Sequence, residues 1–193
     1  MKHNSSLWLA TLAQHTRSNM EQAKQWLMLP EEVLQQRPAP GKWNALECIE
    51  HLNRYGDFYM PEFRNRIETT KFSSPQDWFK QGWLGGYFTK SMEPKARLNR
   101  MKTFKAMDPA NARLTKTVIS KFVQQQAELL DIIDRAKLVD INKTRTSISI
   151  TSLITLKLGD ALAFFTAHNN RHMQQAERAL AIKSSAADMA IGG

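Results

Sequence analysis

Near the start of the chain, apolar residues fall at Leu9, Ala13, Met20, Ala23 and Leu27, with Thr16 on the same line. Steps of three and four place them on one face of a 3.6-residue helix. The spacing predicts a helix from Ser5 or Ser6, either able to cap it, to about Met28. A second stripe runs through Cys48, Leu52, Tyr55 and Tyr59. Asn44 is placed to cap that helix, with Glu47 reaching back from its third position, and Trp43 precedes the cap as a staple. Pro61 predicts a kink or an interruption before the helix continues through Phe63 and Ile67. A third stripe joins Ile119, Phe122, Val123, Leu129, Leu130 and Ile133. It is clearest from Thr115 to Lys137, with Asp108-Pro109 as its start signal and Gln126 as a buried amide within it. The last helix is expected from Leu158 to Ile182, its stripe carrying Ala161, Phe165, Ala176 and Ala179.

The connections follow from the breakers. Pro30, Pro38, Pro40 and Gly41 predict an extended path over residues 29–43. Residues 69–108 are less regular: a short helix about Asp77, Trp78 and Phe79 is expected to end at Gly82, Gly85 and Gly86. The many aromatic residues there predict a packed loop bordering a site. Residues 145–150 alternate polar and β-branched types, as an extended strap crossing the helices would. Residues 184–193 read as a flexible tail. Four amphipathic helices with two long connections imply an all-α, antiparallel four-helix bundle, with residues 1–193 as a single domain.

Composition narrows the function classes. No apolar run reaches the length of a membrane span, and the opening residues are too short a run for a secretory leader. A single cysteine, Cys48, excludes an intramolecular disulfide, so a cytoplasmic location is expected. The formal charge of +9 raises nucleic acid as a partner. However, the basic residues are scattered. Their one dense group, Lys95, Arg97, Arg100, Lys102 and Lys105, comes with no recognition motif, and Lys143 with Arg145 form a weaker one. Both read as solvated loops, and nucleic-acid binding ranks last.

The chemistry lies in the last helix. His168 and His172 are four residues apart on its buried stripe, where core residues are expected. Two imidazoles on one inward face suit a divalent metal. His51, at the margin of the second stripe, is a candidate third ligand. His3, near the terminus, and His15, off its stripe, are not. Cys48 reads as a small core residue. Three nitrogen ligands leave open positions on a metal, as in catalytic sites.

The run Trp43-Asn44-Ala45-Leu46-Glu47-Cys48-Ile49-Glu50-His51-Leu52 resembles the tryptophan-to-His-Leu motif of the DinB-like (DinB/YfiT-like) superfamily of metal-dependent enzymes. Leu158 to Leu162, followed by His168-Asn169-Asn170-Arg171-His172-Met173-Gln174-Gln175, resembles that family's final-helix motif. Asp140 to Arg145 resembles the lead-in of one branch, and the likeness spans about residues 7 to 182. The resemblance implies a four-helix bundle whose metal is held by His51, His168 and His172. It allows nickel, zinc, iron or manganese as the metal, a low-molecular-weight thiol as cosubstrate, and a homodimer. The activity implied is a hydrolase or a thiol (S-)transferase acting on a small molecule. The alternative is a non-catalytic ligand- or partner-binding bundle with a structural or vestigial metal site. Gln175, one turn beyond His172, is a candidate to orient a ligand. Arg171 is a candidate clamp for an anionic group or a surface ion pair. Glu47 is a candidate to support a ligating histidine or to act as a base, beside its capping role, and Tyr55 a candidate pocket wall.

Overall fold

The computed structural model describes residues 2–93, 103–149 and 151–191, with the backbone alone for 151–153 and 182–191. Among the described residues the chain is mostly helical, with two small antiparallel two-stranded sheets. Four long helices carry it: α1 (Ser5–Trp26), α3 (Ala45–Thr69), α5 (Thr117–Ala136) and α6 (Leu158–Ile191). α2 (Glu31–Leu34) and α4 (Trp83–Met92) are short, and Lys105–Met107 forms a 3-10 turn. β1 (Lys2–Asn4) pairs with β2 (Trp78–Lys80), and β3 (Arg145–Ile148) with β4 (Thr151–Lys157). α1 packs on α5 and α6, and α3 packs on the same two helices.

The directions of these helices depart from the all-antiparallel arrangement expected. Trp8 Nε1 donates to the Gly159 carbonyl and Asn19 Nδ2 to Asn170 Oδ1, so α1 and α6 run parallel. α3 and α5 also run parallel, because Asp57 pairs with Lys121, Arg64 with Glu128 and Glu68 with Arg135. α3 and α6 run opposite: His51 meets His168 and His172, whereas Phe63 meets Phe165. The long segment between α3 and α5 explains the parallel pair. It must return the chain along a helix of 25 residues, about 37 Å at 1.5 Å per residue.

Several local expectations are corrected. The cap of α1 is Asn4, whose side chain accepts from Leu7 N, rather than Ser5 or Ser6. Pairing with β2 keeps the chain extended up to that residue. His3 is therefore held in a strand, its ring 4.4 Å from that of Trp8. Residues 31–34 form a helical turn after Pro30 instead of an extended path. Pro61 lies inside an unbroken α3, where buried Tyr59, Met60 and Phe63 hold the turns on either side. Residues 78–80 are a strand, not a helix, and α4 runs through Gly85 and Gly86 instead of ending there. A Cβ on Gly85 would lie 2.3 Å from Asp160 Cγ, so that glycine permits α4 to approach α6. Asp108 closes a local turn by accepting from Ala110 N, and α5 starts only at Thr117. The expected strap is one strand of a hairpin whose partner, β4, leads directly into α6. α6 continues past Ile182 to Ile191.

Of the basic cluster, Lys95, Arg97, Arg100 and Lys102 lie outside the described residues. Among the described residues no helix is long and apolar enough to cross a membrane. Among the described residues the core divides into two apolar clusters, one around Tyr59, Phe63 and Phe165, the other around Leu46, Ile49, Phe122 and Met173. Along α6, His168 and His172 fall between them, and on α3 His51 lies at the end of the second cluster, next to Leu52.

Candidate metal centre

The capping box at the start of α3 sets the position of His51. Asn44 Oδ1 accepts from Glu47 N at 2.8 Å, and Glu47 Oε2 accepts from Asn44 N at 3.0 Å. The other carboxylate oxygen of Glu47 accepts from Asn111 N at 3.0 Å and from the Arg37 guanidinium. Arg54, one turn after His51, donates to the carbonyls of Ala106 and Asp108. These contacts draw the 105–111 segment across α3. There the Met107 carbonyl accepts from His51 Nδ1 at 2.7 Å. With Nδ1 as the donor, the Nε2 lone pair of His51 is left facing inward.

On α6, His172 Nδ1 meets Gln175 Oε1 at 3.0 Å, which orients the second ring in the same way. His51 Nε2 lies 3.3 Å from His168 Nε2. Two nitrogens about 2.05 Å from one ion at a tetrahedral angle would be about 3.3 Å apart. One ring nitrogen from each of His51, His168 and His172 lies within 4.8 Å of the others. Among the described residues no further His, Cys, Asp or Glu joins the group. His51 and His168 are buried and His172 is half-buried.

Burial holds all three imidazoles neutral. It lowers His51 to about 4, although the bond to the Met107 carbonyl works in the opposite direction. His168 and His172 are held well below the usual range, first by burial and then by neighbouring histidines and Arg171. Neutral imidazoles with inward lone pairs are what metal ligation requires.

Aromatic rings enclose the group. Trp43 lies 4.9 Å from His51 and 6.0 Å from His172, between ring centroids. Tyr55 lies 5.0 Å from His51 and 4.6 Å from His168, and Phe164 is stacked 6.2 Å from His168. Burial raises the Tyr55 phenol above its ordinary value, so it keeps its proton at neutral pH.

Of the residues singled out from the sequence, His51, His168, His172, Gln175 and Tyr55 are brought together. Arg171 is buried rather than on the surface, and its charge bears on His168 and His172. Both Glu47 oxygens are committed to the capping box, Arg37 and Asn111, which makes it an organiser of the loop instead of a base. Cys48 is fully buried and its thiol is pushed up, chiefly by burial, so it is no nucleophile. Sequence reasoning missed the Met107 carbonyl, which has no side-chain signature, and Phe164. It gave Trp43 a stapling role only. A family model described as the DinB superfamily matches residues 12–176. No curated protein and no solved structure is matched.

Proposed function

The chain belongs to the DinB superfamily, and on that premise we propose that it is a metal-dependent enzyme whose ion is held by His51, His168 and His172. The four long helices are read as one four-helix-bundle domain built around this site. The observation that carries the proposal is the orientation of the rings. Met107 and Gln175 engage the Nδ1 atoms of His51 and His172, while Nε2 of His51 faces Nε2 of His168 at 3.3 Å. Such partners on the outer nitrogen fix the tautomer of a ligating histidine. A site with three neutral nitrogen donors fits zinc, nickel, iron or manganese in the divalent state.

An ion bound there supplies Lewis acidity, for hydrolysis or for transfer of a small thiol to an electrophile. The chain's own residues do the rest. Trp43, Tyr55 and Phe164 shield the site from bulk water and offer apolar surface to a small substrate. The Tyr55 hydroxyl, protonated at neutral pH, is a hydrogen-bond donor beside His168.

The first test is metal content in protein purified without chelator or affinity tag. A stoichiometric transition metal is expected, lost in His51→Ala and His172→Ala. A panel of thiol-transfer and hydrolytic substrates with the loaded protein then separates the two activities. Protein without such a metal, and with no affinity for added zinc or nickel, would remove the basis of the proposal.

A further inference from the structure

The parallel run of α1 beside α6 leaves a cleft on the opposite side of α6 from the histidines. It holds about 810 Å³, within the range of small-molecule pockets, and the lip is formed by the end of α4. None of His51, His168 and His172 lines it. The cleft exists because α6 presents small residues there, Ala163 and Ala167, against the larger Leu7, Trp8 and Leu12 of α1. The two helices are tied by the Trp8–Gly159 and Asn19–Asn170 hydrogen bonds, and the hollow lies along that seam. Leu7 at its margin is 67% exposed.

We propose that this cleft is a second small-molecule site, and that it takes a cation with an apolar body, such as a protonated arylalkyl amine. The walls supply the apolar surface. Among the described residues, the charged side chains of the lining are Glu93 and Glu177, both exposed at the rim, with no lysine or arginine. The chain carries 27 lysines and arginines and a formal charge of +9, so a described lining whose charged groups are carboxylates runs against its overall field. The polar atoms left over include two threonine hydroxyls, which can accept as well as donate. Thr166, 2% exposed, has a buried Oγ1 with no hydrogen-bond partner among the described residues. Thr89 Oγ1 and His3 Nε2 are in the same condition, and all three residues line the cleft. Buried polar atoms are normally paired. An ammonium group offers three donors, whereas an anion would find no cationic side chain among the described lining residues.

Calorimetric titration of the full chain at pH 8 and low salt uses three probes of one shape: 4-phenylbutylamine, 4-phenylbutanol and 4-phenylbutyrate. The amine is expected to bind at least tenfold more tightly than the carboxylate, with an advantage that shrinks as salt is added. The double variant Glu93→Gln/Glu177→Gln brings the amine down to the affinity of the alcohol, a loss of about three- to tenfold for exposed carboxylates. Thr11→Trp, an exposed lining position, fills the cleft and abolishes binding of all three probes. Unchanged melting and metal binding show that these variants are folded. The proposal is overturned if no probe binds at millimolar concentration, or if the carboxylate matches the amine. It is equally overturned if Thr11→Trp leaves the affinities unaltered, or if sedimentation reveals a dimer that this substitution dissociates.

Discussion

Replacing His168 by leucine is expected to move stability in opposite directions with and without metal. The ring is 5% exposed, its Nδ1 is buried without a partner, and its Nε2 faces His51 Nε2 at 3.3 Å. A buried, unpaired nitrogen costs about 1–3 kcal/mol, and the contact to His51 returns about 0.5–1.5 kcal/mol at most. Leucine has nearly the same size and suits the apolar faces of Tyr55 and Phe164. The metal-free variant should therefore be more stable than the parent by about 1 kcal/mol, a rise of about 2–4 °C in Tm for a chain of this length. With metal at a hundred times its Kd, the parent gains about 2.7 kcal/mol, or roughly 5–10 °C. The variant keeps two of the three ligands and loses most of that gain, so the order of stability reverses. Calorimetry at pH 7.5 on chelator-treated protein, with and without added zinc or nickel, measures all four states. At that pH burial keeps the ring neutral, so no charge is removed. If the metal-free leucine variant melts below the parent, or if both proteins gain equally from metal, the reasoning fails.

Gln175→Ala should weaken metal affinity about tenfold by releasing the His172 ring, as read by competition with a chromophoric chelator; unchanged affinity would show that the ring needs no such support. Asp160, buried under α4 and accepting from Gly82 N, has its carboxyl pushed up to about 6, chiefly by burial. The folded protein thus holds that proton to higher pH than the unfolded chain. Its contribution is full below about pH 4, falls as pH rises toward 6, and is level beyond. Asp160→Asn should gain on the parent by up to about 3 kcal/mol between pH 4 and 7 in urea melts, and a constant difference across that window contradicts the assignment. Glu47→Ala should cost about 2 kcal/mol through loss of the capping box and its ties to the loop. Its metal affinity should fall less than that of His51→Ala, and the reverse ranking would restore Glu47 as a participant in the chemistry.

What the sequence disclosed depended on how local each signal was. The capping box of Asn44 and Glu47 involves residues three apart, and it appears as expected. The stripe of α5 and the pairing of His168 with His172 are equally local, and they place the core and two members of the cluster. His51 is a candidate third ligand from its place beside the second stripe, but spacing alone ties it only weakly to the pair, because 117 residues separate it from His168, and the family resemblance strengthens the link. Long-range backbone pairing left no such trace. β1 meets β2 across more than seventy residues, and three residues are too few for a periodicity. Gly85 was misleading for a physical reason: a glycine weakens a helix, but here it admits Asp160 at a distance that a Cβ would forbid. The parallel pairs were hidden because a stripe tells which face is buried and nothing about the neighbour's direction.

The same limit explains why the sequence reading found only one of the two functional faces of α6. At 100° per residue, His168, His172 and Gln175 lie within about 60° of one another, whereas Thr166, Asn170, Met173 and Glu177 lie about 140–200° away from His168. A search for one apolar stripe per helix selects the first group and discards the second as surface. Packing changes that assignment. α3 covers the histidine face, α4 approaches the early turns, and α1 comes alongside in parallel without filling the space before Ala163 and Ala167. The cleft and the histidine cluster are therefore separated by a helix about 10 Å across. A molecule held between α1 and α6 cannot reach an ion held by His51, His168 and His172, so it is not the substrate reacting there. Turnover measurements register that site only indirectly, and direct binding measurements are the ones that can detect it.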